Sequence, residues 1–479
     1  MKPIVIILLI LGFSGKLWAQ SIPSLPSSST LTLEQCIVLA LENQPSIRQS
    51  VLQQQLADNT VEQTRKSQLP TLSGYSNQGL NFGRNVDPYT NSVTNAQITT
   101  NTVGLGVSWT AFNGFQLKNT LLQQSLTAQA SHFDVATAKN TITLNTLLAY
   151  LQVLTAQDLV TASEVQVSVA QAQVERTEKL VKSGTTPPFN LYDAKSQLAN
   201  DQMQYVQTQT NLKAAMLTLL QVLNLPSTTT LQLIRLEGTM IPQKVTTDAY
   251  QIFTQARTVM PEVLAADLRT KAAQKGLDLA RGLAYPSITV NANWGTSYSS
   301  AARRSMYSTD AVEQTTTGFV DVAGQSYPVK VLEPTLSAER INYFQQLDNN
   351  QYKSLTMSIR IPILNGFQVR YRTTNARLQQ QLAESQAESV RRNLRQAIDQ
   401  AVNQQQNANE RYQALEQQVI VLAQSYKAAE ARYNAGLLNA VDYNLAKSNL
   451  DRASINLIQA RYERVLREKV VDFYRVGTL

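Results

Sequence analysis

The chain contains one unit twice, and that duplication restricts what it can fold into more than any other feature. Pro45 and Pro70 reappear as Pro261 and Pro286, each displaced by 216 residues. Phe112-Asn113-Gly114-Phe115 reappears as Leu364-Asn365-Gly366-Phe367, displaced by 252. The same 252 relates Gly184 to Gly436, Ala194-Lys195-Ser196 to Ala446-Lys447-Ser448, and Leu198 to Leu450. Between Pro286 and Leu364 the second copy therefore carries 36 more residues, the difference between 252 and 216. A length of 479 residues allows two or three independent domains. The repeat replaces them with two copies, residues 20–224 and 248–479, joined by a Pro- and Thr-containing connector at 225–247.

Each copy reads helix, strand, strand, very long helix, sharp turn, helix. The first helix is expected from Thr32, an N-cap with Gln35 three residues on, to just before Pro70. Strands are expected at about 71–82, 102–112, 287–298 and 353–363, where bulky and small or polar residues alternate with period two. Ile288, Val290, Ala292, Trp294 and Tyr298 form one apolar face. Leu355, Met357, Ile359, Ile361 and Ile363 form another, alternating with Thr356, Ser358 and Arg360. Four such strands are too few to close a barrel alone. A further short strand is expected at Leu231 to Leu236 in the connector.

The long helices are expected at about 114–182 and 366–435, without internal proline, each spanning roughly 100 Å at 1.5 Å per residue. In the second, Leu394, Ala401, Ala408, Leu415, Leu422 and Ala429 repeat every seven residues. Ile398, Tyr412, Val419, Tyr426 and Tyr433 follow four residues after members of that series, with Gln405 the polar exception. A sustained 3.5 period makes a left-handed coiled-coil seam. Leu144, Leu147, Leu151 and Leu154 repeat the spacing in the first copy. Both helices end at a glycine, Gly184 or Gly436, as a helix C-terminus favours, in turns at 183–188 and 436–440.

Composition narrows the function. Only 16% of residues are charged and the net charge is +8, spread along the chain, so no nucleic-acid footprint is evident. The polar surface is built from Gln, Asn, Ser and Thr. A lone Cys36 in a helical pattern excludes an intrachain disulfide framework and reads as a small buried side chain. A lone His132, with no phosphate loop, nucleophile elbow or clustered ligands, argues against an enzyme, a metal site or a bound cofactor. The N-terminus reads Met1-Lys2-Pro3, an apolar run from Ile4 to Phe13, and Ala19 before Gln20. That is a cleavable secretory signal over 1–19. No later stretch is apolar enough for a spanning helix, so membrane insertion would have to use β-strands.

Leu31-Thr32-Leu33-Glu34-Gln35-Cys36 through Asn43-Gln44-Pro45, then Ile361-Pro362-Ile363-Leu364-Asn365-Gly366, then Arg432-Tyr433-Asn434-Ala435-Gly436-Leu437 resemble the TolC-like outer membrane factors. These are the exit ducts of Gram-negative efflux and type I secretion systems, and the resemblance covers the whole mature chain. It implies an α + β membrane protein. Three chains would pool their strands in a 12-stranded outer membrane barrel, continued by a periplasmic α-helical coiled-coil barrel. Partners implied are two further copies, a periplasmic adaptor, an inner membrane pump of the RND or ABC type, and outer membrane lipid. Thr356, Ser358 and Arg360 would line the lumen, with Trp109, Trp294 and Tyr298 at the membrane interface. Gly184, Arg432, Tyr433, Gly436, Leu437 and Leu438 match the adaptor-docking tips. Asp442 matches an acidic position that forms a constricting ring in some members, although a carboxylate there also suits a helix N-terminus. Leu445 and Asn190 stand at other positions of that gate, a departure from its acidic pattern. Thr185-Thr186-Pro187-Pro188 departs from the usual Gly-Leu tip.

The 36 additional residues, with Arg303, Arg304, Phe319 and Tyr327, would extend an extracellular loop or simply lengthen a strand pair. A different class of function is a structural periplasmic coiled-coil protein. That reading explains the heptads and leaves the four amphipathic strands unused.

Overall fold

A computed structural model of the chain describes residues 29–86, 93–95, 97–235 and 248–477. The signal segment 1–19 and connector residues 236–247 lie outside them. The first copy runs β1 (Ser29–Leu31), α1 (Leu33–Asn43), α2 (Pro45–Lys66), β2 (Thr71–Asn81), β3 (Arg84–Val86), β4 (Val93–Asn95), β5 (Ile98–Asn113), α3 (Gln116–Lys182), α4 (Phe189–Val222) and β6 (Leu231–Leu233). The second runs α5 (Ala249–Val259), α6 (Pro261–Gly282), β7 (Ser287–Ser299), β8 (Arg303–Val322), β9 (Gln325–Arg340), α7 (Tyr343–Asn349), β10 (Tyr352–Arg360), α8 (Gln368–Asn434) and α9 (Ala440–Val476).

The duplication survives in three dimensions. Helices α1 and α5 both have 11 residues, α2 and α6 both 22, and α3 and α8 both 67. The Asn-Gly-Phe junction before each long helix repeats the same left-handed turn, with φ of 65° and 60° at Gly114 and Phe115 and 59° at both Gly366 and Phe367.

Three expectations are corrected. The single first helix is two helices, because Pro45 has no N–H and forces the residue before it out of the helical region. Gln44 is extended (φ −72°, ψ 119°) and caps α1 with its N–H on the Ala40 carbonyl, and Met260 repeats the break before Pro261. The capping box at Thr32 and Gln35 is formed as expected. Next, β10 stops at Arg360, so Ile361 and Ile363 leave the strand where Pro362 cannot donate to a ladder. Last, the five expected strands, the short connector strand β6 among them, are five of ten among the described residues. Most of the 36-residue excess forms a separate antiparallel hairpin, β8–β9, followed by α7.

The chain divides into two compact units. One comprises the residues up to Gln49, Ala136–Met260 and those from Asn393 onward. Its core gathers Cys36, Ala40, Leu147, Tyr150, Leu151, Leu154, Leu219 and Leu223. Beside it β1 and β6 pair in parallel, and the Tyr150 hydroxyl donates to the Ile234 carbonyl at 2.5 Å. Burial pushes the Cys36 thiol and the Tyr150 hydroxyl each up to about 12. On α8, Leu394, Ile398, Ala401 and Ala408 are buried and Leu415, Leu422 and Ala429 half-buried, while Gln404, Gln406 and Asn407 face water. That is the seam and the wet face read from the heptads.

The other unit comprises Ser50–Val135 and Pro261–Arg392. Its four-stranded antiparallel sheet has the order β10-β7-β5-β2. Among the described residues no helix is long and apolar enough to cross a membrane.

Candidate functional site: sheet faces and helix tips

Cross-strand register sorts the sheet's side chains into two faces. Leu355 pairs with Ala292, which pairs with Val107, which pairs with Leu72. Met357, Val290 and Trp109 make the next row, and Lys353, Trp294 and Leu105 another. Tyr298 follows on this same face, its ring 4.9 Å from that of Tyr343 on α7. Trp109 donates its indole N–H to the Gln68 carbonyl at 3.0 Å. The three aromatics singled out by sequence therefore share one apolar face, with Trp109 towards one end and Trp294 and Tyr298 towards the other.

The opposite face is polar. Thr356 pairs with Asn291, Asn291 with Ser108, and Ser108 with Thr71. Ser358 pairs with Thr289, and Arg360 with Ser287. Each face of β10 is exposed, and both β10 and β2 are sheet edges with one side of the ladder unpaired.

The two helix tips are built alike. After α3 the Gly184 N–H bonds the Val181 carbonyl at 3.0 Å and the Thr185 N–H bonds Leu180 at 3.0 Å. After α8 the Gly436 N–H bonds Tyr433 at 3.1 Å and the Leu437 N–H bonds Arg432 at 2.9 Å. This paired closure requires a left-handed residue, supplied by glycine at φ +73° in both. Arg432 is exposed, Tyr433 and Leu438 half-buried, and Leu437 is 72% exposed. Asp442 lies exposed in the first turn of α9, its N–H on the Asn439 side-chain oxygen at 2.8 Å and its carboxylate accepting from the Asn439 amide at 3.0 Å. Asn439 is thus the N-cap of α9, and the Asp442 carboxylate braces its side chain from the first turn.

Above the α8–α9 tip lies a cluster that the sequence did not single out. Tyr443 is buried, stacks on Tyr433 at 4.7 Å between centroids, and shares a hydroxyl bond of 3.0 Å with Tyr426. One turn further, buried Lys447 holds Asp201 of α4 at 2.8 Å and Asp451 at 3.3 Å. Burial alone would lower the Lys447 pKa, but the two carboxylates outweigh it, so the ammonium is held above its ordinary range. Burial raises Asp451 against the pull of Lys447. The i, i+4 spacing of Lys447 and Asp451 was visible in the sequence; Asp201, 246 residues away, was not. Among the described residues no cluster of His, Cys, Asp or Glu is arranged to hold a metal ion.

The class of protein is thus one that carries a two-faced antiparallel sheet with open edges together with two very long helices, one in each copy of a duplicated unit. The family model for outer membrane efflux proteins matches residues 36–225 and 253–470, and the chain belongs to that family. Its fold is the TolC-like α + β fold with a tandem-duplicated unit. Solved structures agree. A CusC structure concerned with folding and transmembrane channel formation has a TM-score of 0.73 at 18% identity, covering 92% of this chain and 91% of that one. The outer membrane protein VceC from Vibrio cholerae gives 0.72 at 15%, covering 93% and 96%. The Campylobacter jejuni CmeC outer membrane channel gives 0.72 at 16%, covering 93% and 85%. No curated protein sequence shows a significant match.

Proposed function

We propose that the protein is the outer membrane exit duct of a tripartite efflux or type I secretion system. Three chains form the duct. It passively conducts cargo delivered by an inner membrane pump through a periplasmic adaptor. The observation that supports this most is the four-stranded sheet with one apolar and one polar face and two unpaired edges. Three such sheets joined edge to edge remove every edge and give a 12-stranded barrel, apolar outside and polar within. In it Trp109, Trp294 and Tyr298 meet the membrane interfaces and Thr356, Ser358 and Arg360 line the lumen.

The glycine tips, with Arg432, Tyr433, Leu437 and Leu438, receive the adaptor. Three Asp442 carboxylates near the axis form an acidic ring in the closed duct, favouring cations. Because Leu445 and Asn190 add no further carboxylates, that ring is weak. The chain reaches its place by export on the signal at 1–19.

Pull-down of the tagged chain from membranes tests the assembly: an adaptor and a pump should accompany it. Absence of any inner membrane partner would contradict the tripartite reading. For the gate, Asp442→Ala should reduce divalent-cation block of single channels, and unchanged block would remove the ring from the account. A structural coiled-coil protein would instead be a water-soluble species with no conductance.

A further inference from the structure

We propose that Tyr75 and Tyr352 form a wall-mounted binding surface for planar aromatic solutes inside the barrel, an inference that rests on the duct reading. The two tyrosines stand on opposite edge strands, 277 residues apart, and share one cross-strand row with Gly104 and Gly295. A Cβ on Gly104 would lie 2.6 Å from the Cζ and Oη of Tyr75, and one on Gly295 would lie 2.7 Å from those atoms of Tyr352. Each ring therefore lies flat across the glycine of the neighbouring inner strand. The hydroxyls meet over the middle of the sheet at 3.3 Å.

This row is on the polar face, two residues along each strand from Ser73, Asn293 and Ser354, and on the other side from Asn77, Thr102 and Ser297. None of these six side chains is ionised, so charge selects neither sign here. What the row offers is area: two tyrosines, exposed over 38% and 46% of their surface, whose rings nearly span the four strands. A flat wall without a cleft holds flat molecules, and offset stacking on a phenol ring is the favourable contact. The exposed hydroxyls of Ser73 and Ser354 and the amide of Asn77 alongside supply hydrogen bonds to a polar rim. In the trimer the row repeats three times at one level of the lumen, so passing aromatic cargo meets six rings.

The test uses the full-length chain in planar bilayers, with a neutral planar coumarin dye as probe and raffinose as an uncharged non-aromatic control. The dye should interrupt the wild-type current with measurable dwell times and raffinose should not. The double variant Tyr75→Leu/Tyr352→Leu should shorten the dwell about tenfold, as expected for losing two ring contacts. Tyr75→Phe/Tyr352→Phe, which keeps the rings, should preserve it. Gly104→Ala should drive Tyr75 off the wall into the lumen and lower the open conductance. Equal dwell in the leucine variant, loss in the phenylalanine variant, interruption by raffinose, or unchanged conductance of Gly104→Ala would each overturn the assignment. A wild-type chain that conducts nothing defeats the duct reading and this proposal together, whereas the other outcomes leave the duct standing.

Discussion

Lys195 and Lys447 occupy equivalent positions in the two copies, yet Lys195 is exposed and Lys447 is enclosed by carboxylates. The partners are not duplicated: Ala199 stands opposite Asp451 in the repeat, and Ala453 opposite Asp201. The first copy therefore has no counterpart of this clamp. Asp201→Ala leaves Lys447 with Asp451 as its remaining carboxylate, so the loss should fall below that of a fully stranded buried charge, at about 1–2 kcal/mol. Thermal unfolding followed by helical circular dichroism checks it. The pH dependence has a definite sign. Lys447 has a folded pKa raised above its ordinary 10.5, so its stabilisation is complete below that value and is lost as the pH rises through the folded pKa. Asp201→Ala should reduce that alkaline component of the melting curve, and Asp201→Ala/Asp451→Ala should abolish it. At the tips, Gly184→Ala and Gly436→Ala meet no neighbouring atom within 4 Å, so their cost is the left-handed backbone alone, about 1 kcal/mol each. A loss well above that, read from the same melts, would indicate packing at the tips that the glycines conceal.

Among the elements, the long helices show what sequence periodicity can and cannot reveal. The heptads of α8 identified its buried stripe, because a helix's facing residues are set by local spacing. Ala401 and Ala408 are small buried side chains of the seam. Ala408→Leu should overpack it and destabilise the protein by about 2 kcal/mol, measurable as a lowered melting temperature. The strand faces were legible for the same local reason, since alternation alone sorts Leu355, Met357 and Ile359 from Thr356, Ser358 and Arg360. The break at Pro45 was missed although the proline was in view. Proline is compatible with the first turn of a helix, so the apolar pattern continues on both sides and hides the extended Gln44. Long-range partners were illegible: nothing near Lys447 specifies Asp201, and nothing near Tyr75 specifies Tyr352.

At the scale of the whole molecule, one chain leaves work undone. Both edges of its sheet are open, β10 is exposed on both faces, and large apolar side chains such as Leu72, Leu355 and Met357 face outward. A single soluble chain would pay for that surface with aggregation. In the proposed trimer, lipid on the apolar face and two further copies at the edges would remove both problems, and the chain's membership of the outer membrane efflux protein family agrees with that proposal. In that proposal the scarcity of charge suits helix faces of Gln and Asn that meet water without strong fields. The most direct measurement is the mass of the detergent-solubilised particle, by native mass spectrometry or light scattering corrected for detergent. Three copies of the chain and solubility only with detergent are the expected result; a detergent-independent, water-soluble monomer would contradict the trimeric duct.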